Sequence, residues 1–161
     1  MNIVLDTNVL KNSFDYQECN CSTIIPACFI LFKNLKICLD YEDYIYNEYK
    51  KNVKNKELME KFLKKLMAES RVIYQSSDLD NKIREELNKK NFHEVNDQVF
   101  VAVALNNDKI IVTEDSDYGK GKQEKALTKE KQEVLSYMTN ILKMTILNYE
   151  EGVNYIKENF V

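Results

Sequence analysis

The feature that most constrains this chain is a set of short apolar runs, each stopped by a polar residue and followed by a helical stretch. Ile3–Leu5 ends abruptly at Asp6-Thr7-Asn8. Leu35–Leu39 is closed by Asp40. Ile110–Val112, inside Lys109–Thr113, is the clearest of the runs, and Met144–Leu147 is the last. Each reads as a buried strand.

Between these runs the apolar period becomes helical. Thr23–Lys33 forms a helix whose first turn suits Pro26. Tyr41–Asn52 is helical in pattern, and Lys54–Glu69 is strongly amphipathic, with Leu58, Phe62, Leu66 and Met67 on one face. Arg71–Gln75 reads as a short extended piece and Leu79–Lys90 as a helix. Asn96–Asn107 carries Phe100, Val101, Ala104 and Leu105 on one helical stripe. Leu127–Leu142 and Glu150–Asn159 are the last helices. The loop from Ser116 to Lys125 is rich in lysine and glycine, and Gly119–Lys125 is its most flexible-looking stretch. Strands alternating with helices predict an α/β fold: a three-layer α/β/α sandwich around a central parallel sheet of four to five strands. No repeat or linker interrupts the chain, so residues 1–161 read as one domain.

Composition removes several classes. A hydrophobic fraction of 44% supplies a real core, so wholesale disorder is excluded. With 3 Gly and 1 Pro, collagenous and turn-dense all-β architectures are excluded as well. The 23 basic residues against 26 acidic ones give a net charge of -3, less basic than a generic electrostatic clamp on nucleic acid. Only Arg71 and Arg84 are arginines, so any phosphate attraction falls to lysine point charges rather than bidentate guanidinium forks. Cys19, Cys21, Cys28 and Cys38 all lie early in the chain. The Cys19-x-Cys21 spacing is poor for zinc, and the only histidine, His93, is remote in sequence, so the four read as reduced thiols with Cys28 and Cys38 buried. No signal-peptide pattern is visible and no apolar run approaches the ~20 residues of a membrane span, which predicts a cytoplasmic protein without membrane contact.

The acids carry the functional reading. Open parallel sheets place their sites at the carboxyl ends of strands, near the point where strand order reverses. Asp6 directly follows the first strand. Asp115 follows Ile110–Thr113, with Asp117 two residues on. Glu48 lies four residues after Tyr44 and three after Ile45, and Asp97 lies three and four before Phe100 and Val101, so both share helix faces with apolar side chains. Taken singly, each acid suits a cap, a turn or a solvated edge. Taken together they repel: two unit charges about 4 Å apart cost ~4 kcal/mol at an effective dielectric of 20. Such a cluster needs protons or hard cations, and oxygen-only ligands suit Mg²⁺ or Mn²⁺.

Four segments, in order, then resemble the PIN-domain ribonuclease family. They are Ile3-Val4-Leu5-Asp6-Thr7-Asn8-Val9-Leu10, Glu48-Tyr49, Asn96-Asp97 ahead of Phe100-Val101-Ala102-Val103-Ala104-Leu105, and Ile111-Val112-Thr113-Glu114-Asp115-Ser116-Asp117-Tyr118. The resemblance spans residues 3 to 118. It implies a catalytic set of Asp6, Glu48, Asp97 and Asp115, metal ligation by Asp6, Asp97, Asp115 and Asp117, and support by hydrogen bonds from Asn8 and Thr113. The implied activity is that of a Mg²⁺- or Mn²⁺-dependent endoribonuclease that hydrolyses single-stranded RNA to a 5′-phosphate and a 3′-hydroxyl, as a stand-alone enzyme or as a toxin paired with an antitoxin protein. No role falls to His93, which reads as a surface residue near a helix end. The stretch Gly119–Lys131 is longer and more lysine-rich than in the small toxin members.

Two lysine runs flank the acids: Lys50, Lys51 and Lys54 after Glu48, and Lys120 and Lys122 after Asp117. They read either as RNA-phosphate contacts or as solvated surface. Tyr41, Tyr44, Tyr46 and Tyr49 offer stacking for single-stranded bases, although packing is the plainer use. The Leu58/Phe62/Leu66 helix is a candidate antitoxin or homodimer surface unless the domain buries it. Two other functions fit the same sequence: a non-catalytic RNA- or protein-binding module, and another Mg²⁺-dependent phosphate-handling α/β enzyme.

Overall fold

The computed structural model describes residues 1–15, 24–121 and 123–160. Five strands make one sheet: β1 (Asn2–Leu5), β2 (Lys36–Asp40), β3 (Val72–Gln75), β4 (Ile110–Val112) and β5 (Thr145–Leu147). All pairings are parallel and the order is β3-β2-β1-β4-β5. Among the described residues eight α-helices surround it: α1 (Thr7–Asp15), α2 (Ile24–Leu31), α3 (Tyr44–Asn52), α4 (Lys56–Ala68), α5 (Asn81–Lys89), α6 (Val95–Leu105), α7 (Lys129–Ser136) and α8 (Tyr149–Phe160). This is the α/β architecture expected from the short apolar runs. Ile3, Val4, Leu5, Ile37, Cys38, Leu39, Ile111 and Val112 are all essentially without solvent exposure, as strands covered on both faces must be.

The chain leaves β1 toward β2 and β3, then crosses back to lay β4 and β5 on the other side of β1. The reversal therefore falls between β1 and β4, the place where open parallel sheets put their sites beyond the strand ends. Aromatic contacts lock the helices around it. Phe62 of α4 meets Phe14 of α1 at 5.6 Å and Phe29 of α2 at 5.9 Å between ring centroids. Tyr49 of α3 lies against Phe100 of α6 at 6.4 Å and donates its hydroxyl to the Leu5 carbonyl.

The structure departs from the sequence reading in several places. The polar Asp6-Thr7-Asn8 is not only a stop: it opens α1, which the sequence reading did not place. The buried stripe of α4 is Met59, Phe62, Leu63 and Leu66, while Leu58 is 47% and Met67 40% exposed. Phe62 and Leu66 therefore serve the chain's own core and do not form a partner surface. Arg71–Gln75 supplies a full edge strand, β3. The expected helix Leu127–Leu142 is a 3-10 turn at Glu124–Leu127, then α7, then a π-type segment at Tyr137–Ile141.

One of the two arginines is structural. Arg71 is buried and its guanidinium donates to the carbonyls of Phe29, Phe32 and Leu35 and to Glu69, sealing the end of α2. Removing it would orphan buried carbonyls at about 1–3 kcal/mol each. Cys28 and Cys38 are buried free thiols, and burial pushes Cys38 up to about 12. Cys19 and Cys21 lie outside the described residues, as do Lys122 and the expected helix start at Thr23. No helix among the described residues is long and apolar enough to cross a membrane.

Candidate active site

The site is built where β1 and β4 end. The Asp6 backbone N–H donates to the Val112 carbonyl at 2.9 Å, so the polar residues after both strands emerge side by side. Asp6 itself is buried. Its Oδ2 accepts from the Thr113 hydroxyl at 2.6 Å and from Asn8 Nδ2 at 2.9 Å. Asn8 Oδ1 in turn accepts from the Glu114 backbone at 3.0 Å, and Thr113 Oγ1 accepts from the Asp115 backbone at 2.9 Å. Asn8 and Thr113 thus fix the Asp6 carboxylate and stitch the two strand ends together.

The same stitch aims the next acids. Glu114 turns away, and its Oε1 accepts from the Tyr149 backbone at the start of α8. Asp115 is left at the crevice. Its Oδ1 accepts from the Asp117 backbone at 2.8 Å, opening the 3-10 turn Ser116–Tyr118. Tyr118 is fully buried, lies edge-on to Phe92 at 4.9 Å, and donates its hydroxyl to the Asp97 carbonyl at 3.0 Å. That bond pins the first turn of α6 to the loop after β4 and brings Asp97 into the same pocket.

The electrostatics register the gathering. Burial pushes Asp6 up to about 6, against the lowering effect of Thr113, with Asp115 adding repulsion. Asp97 is pushed up to about 8, first by burial and then by Asp6, Asp115, Asp117 and Glu94. Among the described residues no hydrogen-bond donor or cation meets the Asp97 carboxyl, so its repulsion from the other acids goes uncompensated. The buried Thr7 hydroxyl, beside Asp6 in the chain, is the only buried side-chain polar atom without a partner among the described residues.

Glu48 stands apart from this group. On α3 its Oε1 accepts from Asn52 at 2.6 Å, and its Oε2 accepts from Asn96 at 3.3 Å, one residue before Asp97. It borders the pocket through Asn96 and is not among the acids that shift Asp6 or Asp97. The sequence reading put Glu48 on a core-facing stripe. The buried side of α3 is Ile45 and Tyr49, and Tyr44, one turn before Glu48, is 54% exposed.

The lysines divide. Lys50 and Lys51 are exposed, with Lys50 over the Tyr46 ring at 5.4 Å from its centroid. Lys54 is exposed too, and its backbone and that of Asn55 are capped by Asp15. Lys120 is paired with Glu151 of α8 at 2.7 Å, away from the acids at the strand ends. Among the described residues, the cation that reaches the acids is one the sequence reading did not single out: Lys131 of α7, whose Nζ lies 2.8 Å from Asp117 Oδ1. His93 is exposed, as expected, and its nearest charged neighbour is Glu94 at 3.9 Å.

The donor set is carboxylate oxygen only, which matches hard divalent ions. Among the described residues no three acid, cysteine or histidine side chains already stand in a metal-binding cluster. Asp6, Asp97, Asp115 and Asp117 are the carboxylates whose donor chemistry would suit such an ion. No protein-family model, curated protein or solved structure matches the chain.

Proposed function

We propose that this chain is a metal-dependent ribonuclease of the PIN type, hydrolysing phosphodiester bonds of single-stranded RNA. One observation carries the reading: the first turn of α6 is tied by Tyr118 to the loop that carries Asp115 and Asp117, and among the described residues the Asp97 carboxyl of that turn has no hydrogen-bond donor or cation while Asp6, Asp115 and Asp117 repel its charge. A purely structural acid would be expected to have a cap or a cation. Asp40, at the end of the neighbouring strand, has both oxygens occupied by backbone N–H groups of α3 at 2.7 Å.

In this reading Asp6, Asp97, Asp115 and Asp117 hold Mg²⁺ or Mn²⁺. Bound there, such an ion would lower the pKa of water and supply positive charge to the phosphate and the departing 3′ oxygen. The chain's own residues prepare that role. Thr113 and Asn8 hold Asp6 in one orientation. Tyr118 holds the first turn of α6 so that Asp97 faces the strand ends. Asp97 would hold the ion as a carboxylate, its proton passing to solvent, and Glu48, steadied by Asn52 and Asn96, would orient a water at the rim. Tyr41 and Tyr44, 67% and 54% exposed beside the carboxyl end of β2, are available to stack bases of an unpaired strand.

The test is cleavage of a single-stranded RNA by purified protein with Mn²⁺. We expect cleavage that EDTA abolishes and that Asp97→Asn lowers to background. Activity surviving both controls would assign it to another site or a contaminant. No activity in the wild type, at any Mn²⁺ concentration that saturates the protein, would favour a non-catalytic RNA-binding module.

A further inference from the structure

Among its described residues, the polar loop between β4 and α7 is held by close glycine approaches and by side-chain bonds. Gly119 has φ +71°, and a Cβ there would sit 2.6 Å from the Lys131 carbonyl. Gly121 has φ +87°, and a Cβ there would sit 2.3 Å from the Glu114 carbonyl. Only glycine permits both approaches at these dihedrals. Between them Lys120 is clasped by Glu151 of α8, and Gln132 donates to the carbonyls of Gly119 at 3.2 Å and Ala126 at 2.7 Å. The Thr128 hydroxyl caps α7 by accepting from the Lys131 backbone. The loop's product is a placement: Lys131, with its side chain only 18% exposed, is delivered onto Asp117 at the mouth of the acid pocket, with Glu130 Oε1 at 4.0 Å as its other acidic neighbour.

We infer that Lys131 is the resident counter-cation of the acid pocket and, on leaving Asp117, the residue that takes a phosphate of the RNA substrate. The inference rests on the ribonuclease reading for its substrate. An acid pocket of this kind repels a polyanion, and a lysine is a mobile point charge that exchanges one oxyanion for another. Asp117 is the partner for which a divalent ion competes. If Asp117 held a divalent ion, the Lys131 ammonium would be released from it and could pair with a phosphate oxygen instead. The loop glycines and Gln132 make the pairing a property of the fold rather than of a loose surface chain.

Two measurements test it, each with wild type, Lys131→Met and Lys131→Arg. The first is binding of fluorescein-labelled single-stranded RNA by anisotropy in EDTA, across salt, with Asp117→Asn and the Asp117→Asn/Lys131→Met pair added. Freed from its partner by Asp117→Asn, Lys131 is expected to tighten RNA about 5-fold and to steepen the salt slope by about 1. The double variant should lose that gain. Equal tightening by Asp117→Asn with and without Lys131 would overturn the phosphate contact. The second is Mn²⁺ binding read by electron paramagnetic resonance of the free ion. Lys131→Met is expected to bind Mn²⁺ about 5-fold tighter and Lys131→Arg to match the wild type. Unchanged or weaker binding in Lys131→Met would overturn the counter-cation. Absence of Mn²⁺ binding in every variant would sink the metal reading alone, and the RNA series would still decide for or against Lys131.

Discussion

Asp6 and Asp40 occupy matching places on neighbouring strands and have opposite fates. The register that pairs Asn2 with Lys36 and Ile3 with Ile37 carries Asp6 opposite Asp40 at the carboxyl edge of the sheet. Both are buried. Asp40 accepts from the Tyr44 and Ile45 backbones, two donors a helix N-terminus otherwise leaves unpaired, so its charge is spent on starting α3. Asp6 is held by side chains instead, and its surroundings contain Asp115 and Asp97. Residue type and burial are the same. The reversal of strand order beside β1 makes the difference, because only there does a gap admit acids from α6 and from the loop after β4.

The largest expected effect breaks the two acids apart. Asp6→Asn should lower Mn²⁺-dependent RNA cleavage by about 10³-fold while leaving the thermal midpoint near or above that of the wild type. Asp40→Ala should do the reverse: it loses about 2–3 kcal/mol of stability through two orphaned backbone donors and a buried void, yet each folded molecule keeps its cleavage rate. Denaturant melts beside single-turnover cleavage measure both. Equal losses of activity in the two variants would remove the distinction between site and cap.

A smaller effect lies in the pH dependence of stability. Asp97 is raised to about 8 and Asp6 to about 6 in the folded protein, from about 3.8 when unfolded. Over that interval the native state binds more protons than the unfolded one. The stability tied to these carboxyls is fully present below about pH 4 and is lost as the pH rises through about 6 for Asp6 and about 8 for Asp97. In chelator, Asp97→Asn should therefore raise stability at pH 8 by on the order of 1–3 kcal/mol and change little at pH 4. A thermal scan of both proteins across pH reads this directly. A variant no more stable than wild type at pH 8 would mean the acids are not crowded as described.

How much of this was legible beforehand follows from how local each cause is. The central strands announce themselves because burial on both faces leaves Ile3–Leu5 and Ile110–Val112 wholly apolar. β3 is an edge strand with every residue half-buried, so Val72–Gln75 carries a fainter signal. In the α4 stripe Phe62 and Leu66 stand as expected, while Met59 and Leu63 take the places given to Leu58 and Met67, because only packing chooses among neighbouring apolar residues. Asp6 and Asp115 were placed by topology, since a strand-end acid needs only its strand to be found. Glu48 stands half-buried at the edge of the core side, because Tyr44, which reads as apolar, faces solvent while Ile45 and Tyr49 pack inward. Lys131 was out of reach: its contact with Asp117 depends on two glycine close approaches and a helix start distant in sequence, none of which periodicity encodes.

The smallest expected effect concerns the lysines on the Asp40 side of the sheet. Lys50 and Lys51 sit at the end of the helix that Asp40 begins, and Lys54 follows it. All three are exposed, and Lys50 already lies over the Tyr46 ring. Exposed charges act through screened, long-range attraction, so each substitution to alanine should weaken RNA binding by about 2-fold or less at physiological salt. The three together should lower the salt slope without changing which bond is cut. A single one of them rivalling Lys131 would place the RNA path across α3, and the crevice beside Asp6 would then no longer be the sole place where charge and chemistry meet.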